Sequence, residues 1–409
     1  MAWLVPYANL SDEQIRAVEA PVSSHRFIMG APGSGKSLVL VHRAARLRDR
    51  YNIDPSRYRI LVFTNVLKDY IRSACLELGI DDECITTFDR WCIEYHEKHI
   101  GNRPWNNANR QPDFPRIRES VLEHVRGTRC KPFDFVLVDE GQDLDQSAFQ
   151  TITAVAEHVT VCADYKQQIY DHGASEPDIA ARLGLKGANF NLLSAFRCSP
   201  DLVPLAATFV ADPEERRLFV EQSRTWSGAR ERPLLFIAAD AQSERQRLAT
   251  VVRERLSENE RIAVLFPQTR QVAGFAKAMD QFGITVEAQT ANRRNSLREL
   301  DFNSPNPKLL TYHSAKGLTF DSVLMPRLVE SSFPNSLSEN LRRLLFVGLT
   351  RAVRWTYMST VESTSLALLN ELVITSAVEL AEIQRGSAVP MAGRSKGSTG
   401  TEPTVDDLI

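Results

Sequence analysis

Short apolar runs recur along the chain, separated by segments with helical spacing. The runs are "RFIMG" (26–30), "RILVF" (59–63), "FDFVLVD" (133–139), "VTVCAD" (159–164), "PLLFIAA" (233–239), "RIAVLF" (261–266), "KLLTYH" (308–313) and "DSVLMP" (321–326). Each is four to eight residues long and nearly continuous in apolar character, the pattern of a strand buried on both faces. Between them, residues 66–78, 242–256 and 272–282, and the stretch "KSLVLVHRAARLRDR" after residue 35, carry apolar positions three and four apart, as amphipathic helices do. Strands alternating with helices predict an α/β protein with largely parallel sheets. Two such units fit the length better than one. The Pro/Asn-rich stretch 101–120 reads as an insertion or long loop. From Arg385 the Gly/Ser/Pro/Thr-rich remainder reads as a disordered tail.

The chemistry sits at the ends of these runs. "GAPGSGKS" (30–37) fits G-x-x-x-x-G-K-S, with a strand before it and a helix after it. In that setting Gly30, Ala31, Gly33, Ser34, Gly35, Lys36 and Ser37 form a phosphate cradle at a helix N-terminus, where free N–H groups and the helix dipole favour anions. Lys36 reaches the β- and γ-phosphates, and Ser37 holds Mg²⁺. A phosphate loop that hydrolyses its nucleotide needs an acidic residue at the end of a second buried strand, and "FVLVDEGQD" supplies Asp139 for the metal and Glu140 to polarise the attacking water.

Composition narrows the class only a little. The chain has 409 residues, 43% hydrophobic and 24% charged, with a formal net charge of −2, which argues against coating nucleic acid by bulk electrostatics and leaves room for a local basic groove. Six cysteines, Cys75, Cys84, Cys92, Cys130, Cys162 and Cys198, lack C-x-x-C spacing, so reduced thiols, mostly buried, are expected rather than a zinc site or a disulfide framework. No apolar run approaches a membrane span and no leader is evident, so a cytoplasmic protein with no membrane partner is expected.

Asp-Glu-x-Gln, completed by Gln142, resembles the second motif of superfamily 1 and 2 helicases, and further motifs in order from Asn9 to about Tyr357 resemble the UvrD/Rep type. The resemblance implies two RecA-like domains in tandem with the ATP cleft between them: residues 1–195 with a small insertion near 90–130, residues 196–384, and the tail 385–409. It implies roles residue by residue. In "NLSDEQIRAV" Gln14 would read the adenine. In "VFTNVLKDYI" Phe63 would stack on a base while Thr64 and Asn65 contact single-stranded DNA, and in "TTFDRWC" Thr87 and Phe88 would do likewise, although Asp89 stands where histidine is usual. In "ADYKQQIY" Gln167 would sense the γ-phosphate and Tyr170 would pack on the DNA side; in "LLSAFRCS" Phe196 would stack on the adenine and Arg197 touch the γ-phosphate. Thr311, His313 and Lys316 of "TYHSAKGLTFDSVLM" would lie near the DNA backbone, and Arg351 of "NLRRLLFVGLTRA" would be an arginine finger.

The implied activity is that of an ATP- and Mg²⁺-dependent single-stranded DNA translocase or helicase running 3′ to 5′. Two departures bear on it. "YDHGA" follows the third-motif tyrosine where the family has a Trp and an Arg, and Thr319 replaces the glutamate after "KGL", which puts strand separation and nucleotide selectivity in question. Only 103 positions separate Lys36 from Asp139 and 114 separate Arg197 from Thr311, so both intervals lack room for large accessory domains. The expectation is a stripped two-lobe motor. A helicase-like ATPase subunit that senses DNA within a processing or anti-phage complex, beside a nuclease or other protein partner, is the alternative.

Overall fold

The computed structural model describes residues 4–30, 33–108, 110–129, 131–164, 175–192, 195–225, 230–289, 300–334, 338–369 and 380–386. The chain divides into two compact units, Met1–Ala195 and Phe196–Ile409.

The first unit carries strands β1 (Arg26–Gly30), β2 (Tyr58–Val62), β3 (Ile85–Thr87), the short pair β4 (Trp105–Asn106) and β5 (Gln111–Pro112), β6 (Phe133–Val138), β7 (Ala156–Ala163) and β8 (Phe190–Leu192). Its helices are α1 (Asp12–Val18), α2 (Lys36–Tyr51), α3 (Asn65–Glu77), α4 (Phe88–His99), α5 (Phe114–Thr128), α6 (Gln146–Val155) and α7 (Glu176–Arg182). The main sheet runs β3-β2-β6-β7-β1-β8, with its strands paired in parallel. β6 and β7 read as apolar runs because helices cover both faces, and Val136, Val138, Val159 and Val161 join Phe149 and Ile152 of α6 in one core.

Helix starts in this unit are fixed locally. Ser11 and Gln14 form a reciprocal capping box on α1, and Thr64, Thr87, Asp113 and Asp145 each accept a backbone N–H at the start of α3, α4, α5 and α6.

β9 (Ala195–Cys198), which starts at the last residue of the first unit, pairs with β10 (Ser223–Thr225), and α8 (Leu202–Ala207) and α9 (Pro213–Gln222) lie between them in the chain. The main sheet of the second unit contains β11 (Leu234–Ala238), β12 (Ile262–Phe266), β13 (Glu287–Ala288), β14 (Lys308–Thr311), β15 (Phe320–Met325), β16 (Ala352–Val361) and β17 (Glu382–Gly386), with α10 (Ala241–Ser257), α11 (Thr269–Gln281) and α12 (Ser338–Leu349). The order is β13-β14-β12-β15-β16-β11-β17, again parallel. Two parallel sheets flanked by helices make the protein α/β, in the manner of tandem RecA-like domains.

Two features depart from the sequence reading. Arg385 and Gly386 are not tail: they form the end of β17, paired with Ile237 and Ala238 of β11. β16, ten residues long, does not read as an apolar run because Thr356, Ser359 and Thr360 interrupt it. Those hydroxyls are buried and bonded to the Val323 carbonyl (2.8 Å), Glu244 Oε1 (2.7 Å) and the Leu328 carbonyl (2.7 Å), so a polar-looking strand sits in the interior.

Cys75, Cys84, Cys92, Cys162 and Cys198 are free and buried, and Cys130 lies outside the described residues. Burial pushes the Cys75 thiol up to about 12, which keeps it protonated and inert.

Candidate nucleotide and DNA site

The loop after β1 turns sharply enough to require glycine: Gly33 and Gly35 have φ of 71° and 83°, a left-handed conformation that side chains disfavour. Gly35 is the N-cap of α2, so the first N–H groups of that helix lack intrahelical partners and face the loop. A Cβ on Gly35 would meet Gln14 Nε2 at 2.4 Å, and one on Gly30 would meet Ser34 Oγ at 2.3 Å. Ala31, which shares this loop, lies outside the described residues.

Charged groups from three strand ends converge here. Lys36 Nζ donates to the Gly30 carbonyl at 2.7 Å and lies 3.5 Å from Asp164 Oδ2, beyond β7. Ser37 Oγ donates to Asp139 Oδ2 at 2.6 Å, reaching the end of β6. Asp139 is held from behind, its own N–H donating to the Leu61 carbonyl of β2 at 2.9 Å. All of these carboxylates are buried. Burial, and then the neighbouring Glu140 charge, push the Asp139 carboxyl up to about 6, against the pull of the Ser37 hydroxyl and the Lys36 ammonium.

Glu140 takes a left-handed backbone conformation (φ 51°), which breaks the strand and turns its side chain away from the line of β6. Gln142 Nε2 donates to Glu140 Oε2, and Gln142 Oε1 accepts from the Asp164 N–H at 2.9 Å. One amide therefore links the carboxylate after β6 to the backbone after β7. Gly141 permits this close turn, since a Cβ there would meet Val161 Cγ1 at 2.4 Å. Sequence reasoning does not find Asp164 or Gly141 as site residues. The signal for Asp164 is its place immediately after an apolar strand, the same signal that marks Asp139.

Gln14 lies beside the loop, and its amide is engaged at both ends. Oε1 accepts from the Ser11 N–H at 2.9 Å, and Nε2 donates to the Ser34 carbonyl at 3.0 Å.

The DNA candidates of the first unit gather at the carboxyl edge of β2 and β3, because Val62 pairs with Thr87 in register. Phe63 and Thr64 are half-buried there and Asn65 is exposed. Thr64 Oγ1 accepts from Leu67 N at 3.0 Å, and Thr87 Oγ1 from Arg90 N at 3.3 Å, so both hydroxyls cap helices. The structure corrects Phe88. It is 3% exposed and packs in the core beside Trp91, with the Arg118 guanidinium 5.5 Å from its ring, a burial that argues against a base stacking on it. Asp89, the departure from the family pattern, accepts from Arg118 Nε at 2.7 Å, while Arg118 Nη1 donates to Asp145 at 2.9 Å. That arginine ties α5 to the starts of α4 and α6.

In the second unit Thr311 Oγ1 donates to Ser314 Oγ at 2.9 Å and accepts from the Ser314 N–H at 3.2 Å, folding the turn that carries His313 and Lys316. Desolvation, then the charge of Lys316, lower the pKa of His313. Arg351 is buried, with Nε on the Val347 carbonyl (3.2 Å), Nη1 on the Leu318 carbonyl (3.2 Å) and Nη2 on Thr350 Oγ1 (3.2 Å). It thereby joins the end of α12 to the "KGL" loop. Gly348 lets α12 approach closely, since a Cβ there would meet Met325 Sδ at 2.6 Å. Gln167 and Tyr170 lie outside the described residues, as do the side chains of Phe196 and Arg197.

Two helicase family models match this chain. The UvrD/REP helicase N-terminal domain matches residues 10–127 and 118–184, and the UvrD-like helicase C-terminal domain matches residues 289–363. The chain belongs to the UvrD/Rep type of superfamily 1 helicases.

Among its relatives, a probable DNA helicase II homolog of Mycoplasma capricolum subsp. capricolum is 36% identical over 120 residues, 28% of this chain and 16% of that protein. The ATP-dependent DNA helicase srs2 of Schizosaccharomyces pombe is 46% identical over 56 residues, 13% of this chain and 6% of that one. The matches thus span less than a fifth of either relative. A solved C-terminal domain of a possible DNA helicase from Lactobacillus plantarum aligns at 19% identity over 46% of this chain and 98% of its own, with a TM-score of 0.35, too low to carry an argument.

Proposed function

We propose that this chain is an ATP-driven motor on single-stranded DNA, a translocase or helicase moving 3′ to 5′. The observation that carries the reading is the 2.6 Å contact of Ser37 Oγ with Asp139 Oδ2, beside the Lys36 ammonium. It brings the phosphate loop and the strand-end carboxylate to one point within one unit.

The residues fit a magnesium nucleotide. Ser34 Oγ is buried in the loop with no hydrogen-bond partner among the described residues, and Asp139 is a desolvated carboxylate that a cation would relieve. Ser37 and Asp139 would hold Mg²⁺, which when bound neutralises charge on the phosphate oxygens. Among the described residues no group of three or more His, Cys, Asp and Glu side chains forms a metal cage, in keeping with an ion that keeps water and phosphate ligands. Lys36 would pair with the phosphates, leaving the Gly30 carbonyl. Glu140, oriented by Gln142, would accept hydrogen bonds from the attacking water. Arg197 and Arg351 would supply cations to the developing phosphoryl charge, an effect worth on the order of 10³ to 10⁵ in rate. Gln167 would report the γ-phosphate, and Gln14 and Phe196 would flank the base.

Phe63, Thr64, Asn65, Thr87, Tyr170, Thr311, His313 and Lys316 would meet the DNA. Among the described residues no helix is long and apolar enough to cross a membrane, and the proposed site needs none. The alternative of a sensor subunit with a nuclease partner, in anti-phage defence or elsewhere, draws no support from the relatives, which carry helicase names.

Steady-state ATPase with oligo-dT, duplex DNA and RNA compared side by side tests the reading. Oligo-dT should raise turnover, and Lys36→Ala or Arg351→Ala should abolish it. Turnover that is the same with and without DNA would sink the proposal. Displacement from duplexes with 3′ or 5′ tails reads the polarity.

A further inference from the structure

The stub between α4 and α5 has a surface that the nucleotide site does not explain. Trp105 opens the small hairpin of β4 and β5 and is 45% exposed, and Ile100, five residues earlier, is 38% exposed. An indole is costly to leave in water, and a fixed, exposed one with cations around it has the makings of a binding platform. The Arg103 guanidinium lies 5.9 Å from the Trp105 ring centroid. Between residues 97 and 116 the cations Lys98, Arg103, Arg110 and Arg116, all exposed, outnumber the anions Glu97 and Asp113. Glu97 is 3.5 Å from Arg103, and Asp113 caps α5. In a chain whose formal charge is −2, the stretch that carries this indole is thus net positive.

The platform is anchored at both feet. His96, buried, bonds through Nδ1 to the Gly101 carbonyl at 3.0 Å, while Gly101 N donates back to the His96 carbonyl at 2.9 Å. Asp113 N donates to the Pro104 carbonyl at 3.0 Å, and Ala108 N to Asn106 Oδ1 at 3.0 Å across the turn. Below it, Trp91, Tyr95 and His99 follow one another along α4 with ring centroids 5.3 and 4.6 Å apart, and Tyr95 Oη bonds to His124 Nδ1 of α5 at 3.1 Å. A hairpin backbone tied in at both ends this way needs little ordering when a ligand stacks on it.

We propose that this hairpin is a second contact for single-stranded DNA, in which a base stacks on Trp105 while Lys98, Arg103, Arg110 and Arg116 take the adjoining phosphates. Base-on-aromatic stacking tolerates any sequence, and the flexible basic rim follows a backbone. The inference rests on the DNA-motor reading above, and extends it to a site outside the family motifs.

The test is fluorescence anisotropy with labelled oligo-dT and the full chain. Trp105→Ala should weaken binding by roughly fivefold to a hundredfold, with Trp105→Phe recovering most of it. Arg103→Ala combined with Arg110→Ala should flatten the dependence of log affinity on log salt by about 0.7 for each phosphate that is no longer neutralised. ATPase without DNA and the unfolding midpoint should stay at wild-type values, because none of these side chains touches the nucleotide site or is buried. Affinity of Trp105→Ala within twofold of wild type, or an unchanged salt slope in the arginine pair, overturns the proposal. Equal weakening for blunt duplex and oligo-dT overturns it too, since a stacked pair offers no free base. A wild-type chain that binds no oligo-dT defeats the motor reading itself, and is told apart by that control.

Discussion

Gln14 Nε2 donates to the carbonyl of Ser34 at 3.0 Å, while the other end of the same amide closes the capping box of α1. The helix before β1 is thus latched to the phosphate loop through one side chain, and the two bonds can be separated chemically. Gln14→Glu keeps the acceptor for Ser11 N and removes the donor to Ser34. We expect it to raise the KM for ATP several-fold with little change in unfolding midpoint. Gln14→Ala removes both bonds and should also destabilise the protein by about 1 kcal/mol. Paired ATPase and thermal-unfolding measurements check the difference.

Asp139 carries a pH signature. Its folded carboxyl is raised to about 6 from an ordinary value near 3.8, so the folded state holds a proton that the unfolded chain has released. Stability from this group is present below the unfolded value and is lost as pH rises through the folded one. Asp139→Asn should therefore abolish hydrolysis yet stabilise the nucleotide-free protein above pH 6, with little effect at pH 4. Unfolding midpoints across that range decide it, and a variant less stable than wild type at pH 7.5 would contradict the assignment.

At Gly141 the constraint is space rather than charge. Gly141→Ala drives a methyl against Val161 Cγ1, an overlap that costs about 1 to 3 kcal/mol and displaces the Glu140–Gln142 turn. Adding Val161→Ala opens room and should restore part of the lost turnover. Rescue of kcat by the double change, measured against both single variants, is the expected result.

Arg43, on α2, is fully buried and holds the end of α1. Its Nη1 donates to the carbonyls of Ala17, Val18 and Ala20, Nε to Thr160 Oγ1 at 2.9 Å, and Nη2 bonds to His158 Nε2 at 3.0 Å. Burial pushes the arginine down to about 10 and His158 down to about 3, so the imidazole stays neutral and accepts. Arg43→Met should cost about 3 kcal/mol or more by orphaning three carbonyls. Denaturant unfolding gives the number.

Phe88 separates packing from DNA contact. Phe88→Leu should lower stability by about 1 to 2 kcal/mol and leave oligo-dT affinity per folded molecule unchanged. A selective weakening of DNA binding without destabilisation would restore the role expected from its motif.

The sequence alone determined the α/β class and marked the candidate chemistry written in contiguous residues. Gly30 through Ser37 and Asp139–Glu140 are local signals, because a phosphate loop and a strand-end carboxylate each need a fixed spelling beside an apolar run. Buried parallel strands announce themselves in the same way, which is why β1, β2, β6, β7, β11, β12, β14 and β15 were legible. The tertiary structure decided what meets across the chain. The order β6-β7-β1 sets Asp139 and Asp164 against the loop of Lys36, and nothing in either segment's own residues specifies that neighbour. Burial on a particular face turned Phe88 from a DNA candidate into core, and Asp89 into an anchor for Arg118. Buried hydroxyls hid β16, since their partners, the Val323 and Leu328 carbonyls and Glu244, lie far away in sequence. Local patterns fix elements, whereas long-range pairing and packing choose partners, and the engagement of Gln14 with Ser34 is visible only once both are in place.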